Sequence, residues 1–163
     1  MKFNINNLIN ISSQSSKIVD FQDLDHIDGV SISAVSAGLY KVKRDEIVLF
    51  YFRDGANYAS LYTQSKLISE NIKWNKKINA KKVYALLINT RNANALTGSE
   101  GFEALKKISM DLSSKLTDIQ KRDEDTPKKI SPKEILFGCT GTIGEIFPLE
   151  KIKFSLKELV EKI

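Results

Sequence analysis

Two short segments hold the residue types that could do chemistry. One is Asn89-Thr90-Arg91-Asn92-Ala93-Asn94-Ala95-Leu96-Thr97-Gly98, and the other is Cys139-Thr140-Gly141-Thr142-Ile143-Gly144. In the second, Gly141 and Gly144 permit backbone angles closed to other residues. A peptide N–H can then turn away from a strand ladder. With a neighbouring threonine hydroxyl it can hold the negative oxygen of a tetrahedral intermediate, a contribution of about 3–4 kcal/mol to an acyl-transfer barrier. Thr140 and Gly141 are therefore candidate oxyanion donors. The same T-G-x-x-G letters also describe a plain tight turn in which Thr140 and Thr142 cap the next element. In the first segment, Asn92 and Asn94 could hydrogen-bond a substrate or buttress the facing loop. Alternatively they form Asx-turns that lead into a helix start at Thr97, where Thr97 and Glu100 have the spacing of a capping box.

The remaining singletons read as structural. His26, among Asp23, Asp25 and Asp28, has the residue type of a base or ligand but the setting of a lone surface histidine. Cys139 has no histidine near it in sequence and reads as a small buried residue closing a strand. Trp74 reads as a packing residue at an edge. One cysteine and one histidine rule out an internal disulfide and make a structural zinc site implausible, so no metal is expected.

Both segments need a frame. Each has the form of a buried strand, a loop of small residues and then a helix, and in α/β folds ligands bind at the carboxyl ends of strands. Residues 83–88 (VYALLI) and 134–139 (EILFGC) are the strands before the two loops. Residues 47–52 (IVLFYF) form another continuous apolar run, the pattern of a strand buried on both faces, ended by Arg53-Asp54-Gly55 with turn chemistry. Residues 31–38 (SISAVSAG) alternate as a strand would. A short strand is predicted at 59–63 and a short helix at 65–71. After the first loop, Phe102, Leu105, Ile108, Leu112, Leu116 and Ile119 recur at three- and four-residue spacing, one face of a long helix. The charged segment 121–129, with Pro127, is a surface loop. Pro148 opens a last helix with an apolar stripe of Ile152, Leu156, Leu159, Val160 and Ile163. That stripe runs to the final residue without a stop signal, the pattern of a fragment or of a chain completed by a partner.

The chain has 163 residues, 42% of them hydrophobic and 28% charged, which fits one globular α/β domain or a large portion of one (1–163) rather than a disordered chain. Residues 1–16 are polar, rich in Asn and Ser, and offer little that would order them. They lack the apolar core of a signal peptide, and no stretch reaches the roughly 20 apolar residues of a membrane span. A cytoplasmic location is the expectation. The net charge of +5 comes with lysine clusters at 73–77, 81–82 and 128–129. They could meet an anion or a nucleic acid. Without interleaved aromatics they read as a solvated face, and no nucleic-acid partner is expected.

Together the two loops are more specific than either alone. Residues 85–101 (ALLINTRNANALTGSEG) resemble the N-S-G-N-A-N-A-x-T-G-x-x-G signature of ornithine acetyltransferases (glutamate N-acetyltransferases), and residues 139–148 (CTGTIGEIFP) resemble that family's S-T-G-x-I-G-x-x-x-P signature. Residues 29–41 (GVSISAVSAGLYK) resemble its N-terminal segment, and Leu61-Tyr62-Thr63 sits where the family has a short F-T strand. The departures are Arg91 for the usual glycine, Leu96 for cysteine, Thr90 and Cys139 for serines, and 64–70 (QSKLISE) for an apolar, proline-containing segment.

The resemblance implies a sandwich of helices around mixed β-sheets, incomplete without a second chain. It implies a precursor that cuts itself before an internal threonine, which becomes the nucleophile of the second (beta) chain. That threonine takes acetyl from N-acetylornithine and passes it to glutamate in arginine biosynthesis. No cofactor is implied, although some members also accept acetyl-CoA as acetyl donor. Assemblies of two alpha and two beta chains, or larger, are implied as well. Thr140 and Gly141 match the family's oxyanion positions. The family's K-G-x-G-M-I-x-P-N-M-A-T segment is not found here, so the nucleophile is not in this chain, which by itself should be inactive. Rival readings are a self-processing aminopeptidase of related architecture, a basic binding module and a non-catalytic subunit. The enzymatic reading requires that the Thr140–Gly141 bend face a cleft shared with a companion polypeptide.

Overall fold

The computed structural model describes residues 25–163. The polar segment 1–16 and Asp23 lie outside the described residues. Four strands form one mixed sheet in the order β1 (Val30–Val35), β2 (Ile47–Ala56), β3 (Val83–Asn89) and β4 (Ile135–Cys139). The first two pairings are antiparallel and the β3–β4 pairing is parallel. Consequently β1, β3 and β4 all run the same way, and their carboxyl ends lie at one end of the sheet. Three α-helices are described: α1 (Glu70–Lys76), α2 (Gly98–Asp123) and α3 (Leu149–Glu161). The α/β class and the mixed sheet agree with the sequence reading. The described residues form one such sheet, with helices packed against it.

The core follows from strand alternation meeting helix periodicity. Val35, Ile47, Leu49, Ala85, Leu87, Ile135 and Phe137 point to one face, where Leu105, Ile108, Leu112 and Leu116 of α2 and Ile152, Leu156 and Leu159 of α3 bury against them. Full burial of each such side chain contributes about 1.5–3 kcal/mol. Polar contacts fix the layers: the Ser33 hydroxyl donates to the Leu159 carbonyl (2.7 Å), and Gln120 Nε2 donates to Tyr51 Oη and to the Arg53 carbonyl (both 2.7 Å). The β4 edge is covered by α1. Trp74 Nε1 donates to the Ile135 carbonyl (3.0 Å), and the Asn75 amide both donates to the Phe137 carbonyl (2.8 Å) and accepts from its N–H (3.0 Å). Trp74, tilted against Phe102 and edge-on to Phe137, is thus the edge residue its setting suggested.

Several expectations give way. The run at 47–52 is not buried on both faces, because only alternate residues are fully covered. On the opposite face Ile32, Phe50, Leu86 and Leu136 lie side by side in register and remain partly or wholly exposed. The turn at Arg53-Asp54-Gly55 does not end β2. The strand continues to Ala56 through a register irregularity after Tyr51, which absorbs the extra residues as a bulge does. Residues 59–63 form no strand, and α1 starts at Glu70 after an extended Ser69 rather than at 65. Helix α2 runs through Lys121 and Arg122, whose charges suit a helix carboxyl end, so the loop begins at Glu124. Thr97 makes no capping hydrogen bond. A true capping box forms instead at Ser131 and Glu134, around a 3₁₀ turn leading into β4.

Leu112→Ala, at a position with no exposure, should destabilise the chain by about 2–5 kcal/mol. Phe154→Ala, on the outer side of α3 and 91% exposed, should change its stability by less than about 0.5 kcal/mol. Urea denaturation of the two variants checks the contrast.

Candidate active site

The two segments singled out by type leave the ends of neighbouring parallel strands and are zipped together. Thr140 N–H donates to the Asn89 carbonyl (3.0 Å), Thr142 N–H to Arg91 (2.9 Å), Ala93 N–H back to Thr142 (3.0 Å) and Gly144 N–H to Ala95 (2.9 Å). The ladder thus extends past the sheet, with Asn92 and Thr142 paired as a parallel bridge. This closeness requires glycine at 141. At its φ of 134° a Cβ would lie 2.2 Å from the Arg91 carbonyl carbon and 2.6 Å from the Asn92 nitrogen. Gly101 is fixed the same way, since a Cβ there would meet Thr97 Oγ1 at 2.2 Å and Asn94 Oδ1 at 2.3 Å.

Asn92 and Asn94 are buttresses. Asn92 is 2% exposed and Asn94 has no exposure. Asn92 Nδ2 donates to the Glu145 (3.1 Å) and Ile146 (3.3 Å) carbonyls, and its Oδ1 accepts from Asn94 N–H (2.8 Å). Asn94 Nδ2 donates to the Gly101 carbonyl (3.2 Å), while its Oδ1 accepts from the Thr97 hydroxyl (2.7 Å). That last bond explains the missing capping box, because the hydroxyl that would serve the helix N–H groups turns to Asn94. These amides are engaged inside the protein, and that of Asn92 holds the two loops together. Asn94 also tolerates its left-handed φ of 49° better than most residues.

Thr140 and Gly141 stand at the turn of the second loop. Thr140 N–H is used by the ladder. Among the described residues, neither the Thr140 hydroxyl nor the Gly141 N–H meets a hydrogen-bond partner. Residues 140–146 are all exposed. The bend is therefore preformed and, among the described residues, open. Such an arrangement can offer a hydroxyl and a peptide N–H to an oxyanion without reorganising. Among the described residues no nucleophile with an adjacent base stands beside it.

Arg91 has a φ of 77°, a region costing most residues about 1–2 kcal/mol. Its guanidinium holds the Glu145 carboxylate in a two-pronged ion pair (2.8 and 3.2 Å) and donates to Thr142 Oγ1. The side chain thus clasps the second loop where the resembled family has glycine. Two residues escaped the sequence reading. Asn89, 4% exposed, donates from Nδ2 to the Asn92 (2.8 Å) and Thr90 (3.2 Å) carbonyls. Glu46, 1% exposed, lies at the same end of the sheet. In the sequence Glu46 merely follows Asp45 ahead of an apolar run, a placement that does not single it out. His26 is exposed on the segment before β1. Cys139 closes β4 against the core, and burial pushes its thiol from 9.0 up to about 12, the opposite of a reactive cysteine.

This fold matches solved structures of an ornithine acetyltransferase and of an arginine biosynthesis bifunctional protein ArgJ. The ornithine acetyltransferase of Mycobacterium tuberculosis, solved with ornithine, matches with a TM-score of 0.72 over 83% of this chain and 67% of that one, at 21% identity. The arginine biosynthesis bifunctional protein ArgJ of Bacillus halodurans matches with a TM-score of 0.69 over 83% and 68%, also at 21% identity. The ArgJ family model covers residues 31–163, and the chain belongs to the ArgJ family. Among curated relatives, the arginine biosynthesis bifunctional protein ArgJ of Zymomonas mobilis is 31% identical over 78% of this chain and 29% of its own length. That of Prochlorococcus marinus is 31% identical over 83% and 30%. The chain spans about a third of the length of the curated relatives it matches.

Because the Cys139 thiol is harder to ionise folded than unfolded, its burial favours the fold fully below pH 9.0 and loses that effect as pH rises toward 12. At pH 8, iodoacetamide should modify native Cys139 at least about tenfold more slowly than the urea-unfolded chain, as read by intact mass. Equal rates would contradict the burial.

Proposed function

We propose that this chain is the alpha portion of a two-chain acetyltransferase that moves acetyl from N-acetylornithine to glutamate in arginine biosynthesis. The acetyl is carried on the N-terminal threonine of a beta chain released by self-cleavage of a common precursor. In this reading the alpha chain alone is inactive, no cofactor takes part, acetyl-CoA is a secondary acetyl donor, and the assembly is a heterotetramer or larger working in the cytoplasm. The observation that carries the reading is the open bend at Thr140 and Gly141, held in place by the neighbouring loop and presenting a hydroxyl and a peptide N–H that have no partner among the described residues. Membership of the ArgJ family supports it. So does the apolar sheet face of Ile32, Phe50, Leu86 and Leu136, which suits a second layer.

The chemistry assigned to this chain is electrostatic. When the beta-chain threonine attacks the acetyl carbonyl, the carbonyl oxygen gains negative charge. The Thr140 hydroxyl and the Gly141 N–H donate to that oxygen. The charge disperses when the C–N bond to ornithine breaks and the proton passes to the leaving amine. The same donors serve the return step, when the glutamate amine attacks the acetyl ester. They would also serve self-cleavage, in which the threonine hydroxyl attacks the preceding carbonyl and the charge appears on an equivalent oxygen.

Thr140→Ala in the full precursor should slow both self-cleavage and acetyl transfer by about 10²–10³-fold. Gel analysis of processing and a glutamate-acetylation assay read the two rates. Normal rates in both would refute the oxyanion assignment, and a mature second chain that does not begin with threonine would refute the mechanism.

A further inference from the structure

Three parallel strands finish at the same end of the sheet, yet the two loops described so far follow only β3 and β4. The loop after β1, residues 36–45, lies at the same end and is organised by a single buried residue. Glu46 Oε2 accepts from Ala37 N–H (2.7 Å) and from the Ser36 hydroxyl (3.2 Å), and Oε1 accepts from Tyr40 N–H (3.0 Å). Its backbone joins the neighbours on both sides. Glu46 N–H donates to the Val35 carbonyl (3.0 Å), and its own carbonyl accepts from Thr90 N–H (2.9 Å) and from the Thr90 hydroxyl (3.4 Å). Thr90 opens the asparagine loop. Among the described residues no cation pairs with this carboxylate, which is 1% exposed. A buried charge held only by donors from one loop is costly unless those donors are well placed. A mere packing position at the end of β2 would take an apolar residue.

We propose that residues 36–40 form a third wall of the candidate site, and that Glu46 is the positioning residue that fixes this wall to the asparagine loop. This rests on the acyl-transfer reading above and assigns part of the binding surface of that same site. The wall leads into an exposed cationic rim, with Lys41, Lys43 and Arg44 following Tyr40 and the Arg44 guanidinium 4.0 Å above the Tyr40 ring. A rim of this sign suits the carboxylate of an amino-acid substrate. Glu46 itself is buried beneath the loop and acts through it.

The test is Glu46→Gln, made in the precursor for kinetics and in the 163-residue chain for ¹H–¹⁵N NMR. Glutamine replaces one carboxylate oxygen with an NH₂ group, so Ala37 N–H or Tyr40 N–H faces a donor instead of an acceptor. Loss of a charged acceptor should move the Ala37 and Tyr40 amide protons upfield and raise KM for the amino-acid acceptor about fivefold or more, with kcat within about threefold. Glu46→Asp, which keeps the charge, should recover most of both effects. Ser36→Ala removes one donor and should raise KM about twofold to threefold, which decides the matter if Glu46→Gln does not fold. Unmoved amide signals in Glu46→Gln would overturn the anchoring role. Moved signals with KM unchanged, or KM unchanged in Ser36→Ala where that variant decides, would overturn the third wall. A wild-type precursor with no acetyl transfer contradicts the acyl-transfer reading itself, and with it the wall, while the amide signals still decide the anchor.

Discussion

The absence of one side-chain atom, the Cβ of residue 141, lets two loops touch. The Gly141 backbone presses against the Arg91 carbonyl so closely that any other residue would have to displace the asparagine loop. With that contact in place, Thr142, Ala93 and Gly144 complete the cross-loop hydrogen bonds, and Asn92 reaches the Glu145 and Ile146 carbonyls. The bend then stands open at the end of β4 with its geometry already set. Preorganisation of this kind is what makes hydrogen-bond donors effective toward a developing oxyanion, because no reorientation is left to do during the reaction.

The loops hold each other, and the sheet holds the loops. Parallel pairing of β3 with β4 brings the two strand ends level, from Ala85 opposite Ile135 to Asn89 opposite Cys139. The α2 and α3 faces fix that pairing from one side, and Trp74 and Asn75 seal the β4 edge. Exposed ion pairs such as Lys106–Glu103 and Lys121–Asp118 add little by comparison. The lysines that give the chain its positive charge are mostly a solvated surface around this frame.

The sequence revealed what depends on residue type and short spacing. Val83–Asn89 and Ile135–Cys139 were legible as apolar runs, the core face of α2 as a three-four repeat, and the loop pair as a joint motif. What depended on tertiary competition was hidden. Thr97 and Glu100 have capping-box spacing, but Asn94 Oδ1 accepts from the threonine hydroxyl. Arg53-Asp54-Gly55 has turn letters, but pairing with β3 and the Gln120 contact carry the strand through it. Residues 59–63 have strand letters and no strand neighbour among the described residues. Asn92 and Asn94 could be ligand or buttress by type, and the bonds their amides make were not legible. Glu46 was invisible because the donors of its carboxylate come from residues six to ten positions earlier, in no recognisable spacing.

The account stands on the contact between Gly141 and the Arg91 backbone. Amide hydrogen exchange of Gly141→Ala tests it most directly. The account predicts that Ala93, Thr142 and Gly144, whose N–H groups cross between the loops, lose about tenfold or more of their protection, while Leu87 within β3 keeps its own. Unchanged protection at all three cross-loop amides would contradict it.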